Sequence, residues 1–139
     1  MASPNFASAR IAQEWASGKL APLLAVIVNG AIEMGATFNS WVPTLTCIYR
    51  TPEENDALYG GHGDHLTGVH VLWRGVDMRI FDAPFRAVGT LTDWANANWI
   101  YDPARRSLRV CLLEGRVVDE SSGPHLHFQV SPATIAAAT

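Results

Sequence analysis

Apolar residues recur with a period that changes along the chain, and the change predicts an order of elements. Ser3 and Pro4 supply a cap and a preset first turn, after which Phe6, Ile11 and Trp15 share a helical stripe that ends near Gly18. Leu20, Leu24, Ile27, Ala31 and Met34 then recur at intervals of three and four, which predicts a second helix closed by Gly35 in a left-handed conformation. From Thr44 to Thr51 the period falls to two: Leu45, Cys47 and Tyr49 face one way, Thr46, Ile48 and Arg50 the other, as in a strand. Thr51, Pro52 and Glu54 form a reciprocal cap for a short helix, and Gly60, Gly61 and Gly63 mark a loop. The pattern further predicts a strand from Val76 to Phe81 and a helix capped at Thr90 or Thr92 that stops before Pro103. Strands follow at Ser107 to Leu113 and His125 to Val130, joined by a turn at Glu114 and Gly115, and the tail reads as loose or weakly helical. Helices first and short strands later predict an α+β fold, a mostly antiparallel sheet with helices on one face and a cleft on the other.

Composition narrows the picture. A chain of 139 residues, 48% hydrophobic and 17% charged, suits one domain over 1–139 and excludes disorder, collagen-like repeats and a coiled coil. Ten Lys and Arg against 13 Asp and Glu leave a net charge of -3, with no basic footprint for nucleic acid or for an anionic membrane. The apolar run Leu20 to Val28 contains Pro22, is followed by Asn29, and falls short of a membrane span. The residues before it read as a helix carrying Glu14, unlike a signal peptide, so synthesis in the cytoplasm without a membrane anchor is expected. A monomer is the expected state. Cys47 and Cys111 are too few for a disulfide scaffold and read as free core thiols.

The histidines are clustered: His62, His65 and His70 lie in one glycine-rich segment, and His125 and His127 form an HxH on the last strand. Residues two apart on a strand share a face, so His125 and His127 project together while Leu126, Phe128 and Val130 enter the core. By the same alternation Val76, Met78 and Ile80 suit the core and Asp77 and Arg79 oppose it. If these faces coincide, Arg50, Asp77, His125 and His127 converge on one cleft. His70 joins them only if the chain bends between Trp73 and Gly75, since a straight strand would place His70 and Asp77 on opposite sides. Two imidazoles and a carboxylate suit a catalytic zinc ion, because three protein ligands leave a fourth position for water.

The segment GVHVLWRGVD, with His70 and Asp77 seven apart, and PHLHFQV, with its HxH, resemble the signature of the zinc peptidases grouped as lysostaphin, D-Ala-D-Ala carboxypeptidase and Sonic hedgehog. The seven-residue spacing and TCIYRTPEE are most similar to the D-Ala-D-Ala carboxypeptidase and phage endolysin branch. Carried over, the resemblance implies one Zn2+ held by His70, Asp77 and His127, with His125 as acid/base partner and Arg50 on the substrate carbonyl or carboxylate. It implies hydrolysis of a peptide bond in bacterial peptidoglycan stem peptides or crosslinks; the lack of an export signal fits a lysin released to the wall through a partner pore, and equally a virion component or an intracellular recycling enzyme. Gly68, Trp73 and Gly75 depart from the Ser, Gly and Ala usual in that branch. Some relatives place a glutamate shortly before the last ligand; here Pro124 and Ser121 stand there, so Glu120 or Asp119 is the nearest carboxylate. A second reading keeps the zinc without the enzyme, as in hedgehog-like modules with a structural or binding role. His62 and His65 read as loop histidines, Arg74 and Arg79 as solvated charges, and Trp73 as a wall of the substrate groove.

Overall fold

The structure, a computed structural model, describes residues 2–58, 68–115 and 123–138. Its elements are β1 (Asn5–Phe6), α1 (Ala9–Ala16), α2 (Pro22–Ala36), β2 (Thr44–Cys47), α3 (Pro52–Leu58) and β3 (Gly75–Arg79). These are followed by α4 (Ala87–Asn98), β4 (Trp99–Ile100), β5 (Cys111–Glu114), β6 (His125–Gln129) and β7 (Ile135–Ala136). The α+β class holds. Five strands form one sheet in the order β1-β2-β3-β6-β5, antiparallel except for the β1–β2 pair, and β4 pairs with β7 in a small second sheet. Among the described residues no helix is long and apolar enough to cross a membrane.

The core lies between the sheet and the two longest helices. From α2 come Leu24, Ile27, Val28, Ala31 and Ile32, and from α4 Ala87, Leu91 and Ala95. They meet Leu45, Val76, Met78, Leu126 and Phe128 of the sheet, all fully buried. Burying each large aliphatic side chain contributes about 1.5–3 kcal/mol, so this layer carries most of the driving force. The helices approach closely because Gly30 has no side chain: a Cβ there would lie 2.5 Å from Cη2 of Trp94.

Several boundaries differ from those the periodicity predicts. The first helix starts at Ala9: Ser8 caps it, its Oγ accepting from the Ile11 amide at 3.3 Å, while Asn5 and Phe6 pair with Thr44 and Leu45. Gly35 lies inside α2, which ends at Thr37 in an ordinary right-handed conformation. A Cβ on Gly35 would meet the Trp41 ring at 3.1 Å, so the glycine serves packing. The Thr51–Glu54 cap forms as expected, with the Glu54 amide donating to Thr51 Oγ1 at 3.1 Å and the Thr51 amide donating to Glu54 Oε1 at 2.9 Å. Helix α4 begins after Arg86, and Thr92 donates back to the Val88 carbonyl within it. Trp99 leaves the helix for β4 because the tail, expected to be loose, supplies β7 as its partner. Glu114, expected in a turn, is the last residue of β5, opposite His125.

Candidate metal centre

The sheet face away from α2 and α4 carries the polar residues. In β3 and β6 the alternation acts as predicted: Asp77 pairs with His127 and Arg79 with His125, while Val76, Met78, Leu126 and Phe128 point into the core. Strand β2 departs from it. Leu45 pairs with Met78 and Cys47 with Asp77, an irregularity that shifts the register between the two. A bulge of this kind reverses the faces beyond it. Ile48 is therefore fully buried, and Cys47, expected in the core, is half-buried beside Asp77. Cys111 is a buried free thiol as expected, pushed up to about 12 by burial despite a contact with Thr92.

The bend between His70 and Asp77 occurs at Trp73, whose φ of +60° is left-handed and costly for a bulky side chain. The turn is held by the Trp73 amide on the His70 carbonyl and the Arg74 amide on the Val69 carbonyl at 2.7 Å. The Trp73 ring stacks on Tyr49 with centroids 4.5 Å apart. Gly75, at the far end of the expected bend, sits in β3 and is needed for another reason. A Cβ there would lie 2.8 Å from Val69 Cγ2 and 3.3 Å from Cε1 of both His70 and His127.

These local choices bring His70, Asp77 and His127 together, all buried, with His125 at their edge. Three imidazole nitrogens face one carboxylate oxygen: from Asp77 Oδ1, His127 Nδ1 lies at 2.8 Å, His70 Nε2 at 3.4 Å and His125 Nε2 at 3.8 Å. Each ring's other nitrogen is tied to a protein oxygen. His70 Nδ1 donates to the Ile48 carbonyl at 3.1 Å, His125 Nδ1 to the Gly123 carbonyl at 3.0 Å, and His127 Nε2 to Gln129 Oε1 at 3.1 Å. A carbonyl only accepts, so these contacts place hydrogen on the outer nitrogens; the inner ones face the Asp77 carboxylate as hydrogen-bond donors and would offer lone pairs to a metal once it displaces their protons. Arg50, with its side chain 21% exposed, places Nη2 3.8 Å from Asp77 Oδ2.

Sequence reasoning missed two residues here. Glu114 Oε2 lies 3.4 Å from His125 Nε2, and the Cys47 thiol lies 3.6 Å from His70 Nδ1. Donor atoms of Cys47, His70 and Asp77 all lie within 4.8 Å of one another, so these three could also hold a metal ion. Neither residue was legible, because the bulge and the β5–β6 register are long-range outcomes. Gln129 was missed as well, although it follows His125 and His127 on the same alternating face and that alternation is the signal that could have found it. Glu120, Asp119, His62 and His65 lie outside the described residues.

Electrostatics couples the cluster. Burial alone would push the Asp77 carboxyl up, but hydrogen bonds from His127 and His70 prevail and hold it far below the usual carboxylate range. Burial opposes charge on His70 as well, yet the Asp77 carboxylate wins and raises it to about 10. His125 rises to about 9, chiefly through its hydrogen bond to Glu114, against partial burial and with help from Asp77. Glu114 is lowered by the same bond. A cluster that binds protons this strongly without a metal has the charge and donor chemistry a divalent cation replaces.

Comparison with protein-family models, with curated proteins and with solved structures gives no match to this chain.

Proposed function

We propose that the chain is a zinc-dependent metallopeptidase that hydrolyses a peptide bond in bacterial peptidoglycan stem peptides or crosslinks. The observation that carries the metal reading is the convergence of three outer-anchored imidazoles on Asp77 Oδ1, a nitrogen and oxygen donor set, buried at His70, Asp77 and His127, that suits zinc. His70, Asp77 and His127 would hold the ion. The peptidoglycan substrate rests on the resemblance of GVHVLWRGVD and PHLHFQV to the peptidase motifs.

Bound zinc would supply Lewis-acid polarisation of a carbonyl and a more acidic water. The chain's own residues supply the rest. Arg50, with a long contact to Asp77, presents a guanidinium fork suited to the substrate carbonyl or carboxylate. His125, anchored through Nδ1, presents Nε2 at the edge of the cluster, where it can hold a proton and pass it to the departing amine. Glu114 lies beside that nitrogen and supplies the described carboxylate nearest to His125.

Replacing His125 with Ala should abolish release of peptide fragments from purified peptidoglycan while leaving one zinc per chain. Retained hydrolysis would remove His125 from the chemistry, and a wild type without zinc would end the metal reading. A second reading, a zinc module with a structural or binding role, is favoured by one observation. Cys47 beside His70 and Asp77 adds a thiol that could complete a closed coordination shell. A zinc-loaded wild type inert on peptidoglycan would support that reading.

A further inference from the structure

We propose that Gln129 is the positioning residue of the metal centre: its side chain selects the form of His127 that offers Nδ1 to the metal and locks the plane of the ring. The inference rests on His127 being a metal donor and adds the residue that makes it one.

The geometry fixes the hydrogen on His127 Nε2. The Gln129 side-chain nitrogen donates to the Arg109 carbonyl at 2.8 Å. That carbonyl can only accept, so the amide nitrogen faces it and Oε1 faces His127 Nε2 at 3.1 Å. Oε1 can only accept in turn, which puts hydrogen on His127 Nε2; Nδ1 donates to Asp77 Oδ1 at 2.8 Å without a metal and is the nitrogen whose proton a metal would displace to gain a lone pair. A metal-bound histidine usually gives its other N–H to a carboxylate, a carbonyl or water, because this fixes ring orientation and raises ligand basicity. Here an amide does it.

The amide is held from both ends. The Gln129 backbone lies opposite Gly75 in the sheet and its N–H donates to the Val110 carbonyl at 2.8 Å. The segment of Arg109 and Val110 leads directly into β5, whose first residue is clasped by Asn96: its side chain donates to the Cys111 carbonyl at 2.9 Å and accepts from the Cys111 amide at 3.0 Å. His127, Gln129 and the Arg109 carbonyl thus form a relay anchored in helix α4, with little freedom to swing. A glutamine that merely stapled β6 to residue 109 would need only its donor half. Its acceptor half, aimed at the ring nitrogen opposite the cluster, points to the metal.

The two roles separate by substitution. Gln129→Leu removes both halves, whereas Gln129→Glu keeps an acceptor for His127 and removes the donor to Arg109. Zinc affinity is measured by competition with a chromophoric chelator, together with the absorption spectrum of the cobalt-loaded protein and the melting midpoint of the metal-free protein. Gln129→Leu should weaken zinc binding about 10- to 100-fold and alter the cobalt spectrum, while Gln129→Glu recovers most of the loss. Undiminished zinc affinity in Gln129→Leu overturns the inference, as does a Gln129→Glu variant no better than Gln129→Leu, which assigns the residue to the staple alone. A loss of metal-free stability with unchanged zinc affinity in the folded fraction does the same. A wild type that binds no zinc overturns the metal reading itself and this inference with it.

Discussion

Gly75→Ala is the smallest perturbation that reaches both proposed histidine ligands at once. The added methyl carbon would start 2.8 Å from Val69 Cγ2 and 3.3 Å from the Cε1 atoms of His70 and His127. Carbon atoms rest about 3.5–4.0 Å apart, so Val69 must retreat by roughly 1 Å and each imidazole by a few tenths of an ångström. Neither ring is free to comply, since His70 is tied to Ile48 and His127 to Gln129. Overpacking of this kind costs about 1–3 kcal/mol. With an unfolding entropy of about 2 cal/mol/K per residue, that lowers the melting midpoint of the metal-free protein by about 3 to 10 °C. Metal binding should suffer further, because ligand distances tolerate only about 0.2 Å and Cε1 is bonded to both ring nitrogens. Differential scanning calorimetry with and without zinc, paired with a chelator competition titration, reads both losses. An alanine variant with wild-type midpoint and zinc affinity would refute the claim that Gly75 exists to make room for the two rings.

Metal-free protein should lose stability as pH rises. His70 and His125 are raised from 6.5 to about 10 and about 9, so their contribution is complete below about 6.5 and vanishes as pH climbs through those values. Melting midpoints in chelator that increase from pH 7 to 10 would contradict this sign. Zinc should reverse the trend, since the same protons compete with the metal and affinity should fall as pH is lowered. Cys47→Ala should retain one zinc per chain, because His70 Nδ1 is committed to the Ile48 carbonyl; loss of zinc would instead place the thiol among the ligands. Ser8→Ala should destabilise by about 0.5–2 kcal/mol as a lost helix cap, whereas exposed Ser3→Ala should stay within about 0.5 kcal/mol. Denaturant midpoints that rank them the other way would restore the earlier helix start.

Local periodicity was enough for much of this fold. The spacing of Leu24, Ile27 and Ala31 is a property of neighbouring residues, and so is the HLHFQ alternation that puts both histidines on one face and Leu126 and Phe128 in the core. The Thr51–Glu54 cap is equally local. Such features are legible because a helix or strand repeats its side-chain direction every few residues whatever surrounds it. The bend needed to join His70 to Asp77 was also implied, since parity alone forbids a straight connection.

What the chain order could not reveal are contacts between segments distant in sequence. The short β1 forms because Asn5 and Phe6 find Thr44 and Leu45, and β7 because Ile135 finds Ile100. The bulge that turns Cys47 toward Asp77 is a compromise between β2 and β3, visible in neither strand alone. Glu114 reaches His125 only through the register of β5 on β6, and the turn falls at Trp73 because its ring finds Tyr49 to stack on. Register, bulges and strained turns are chosen by the total packing energy of the assembled sheet, and no window of a few residues contains that sum.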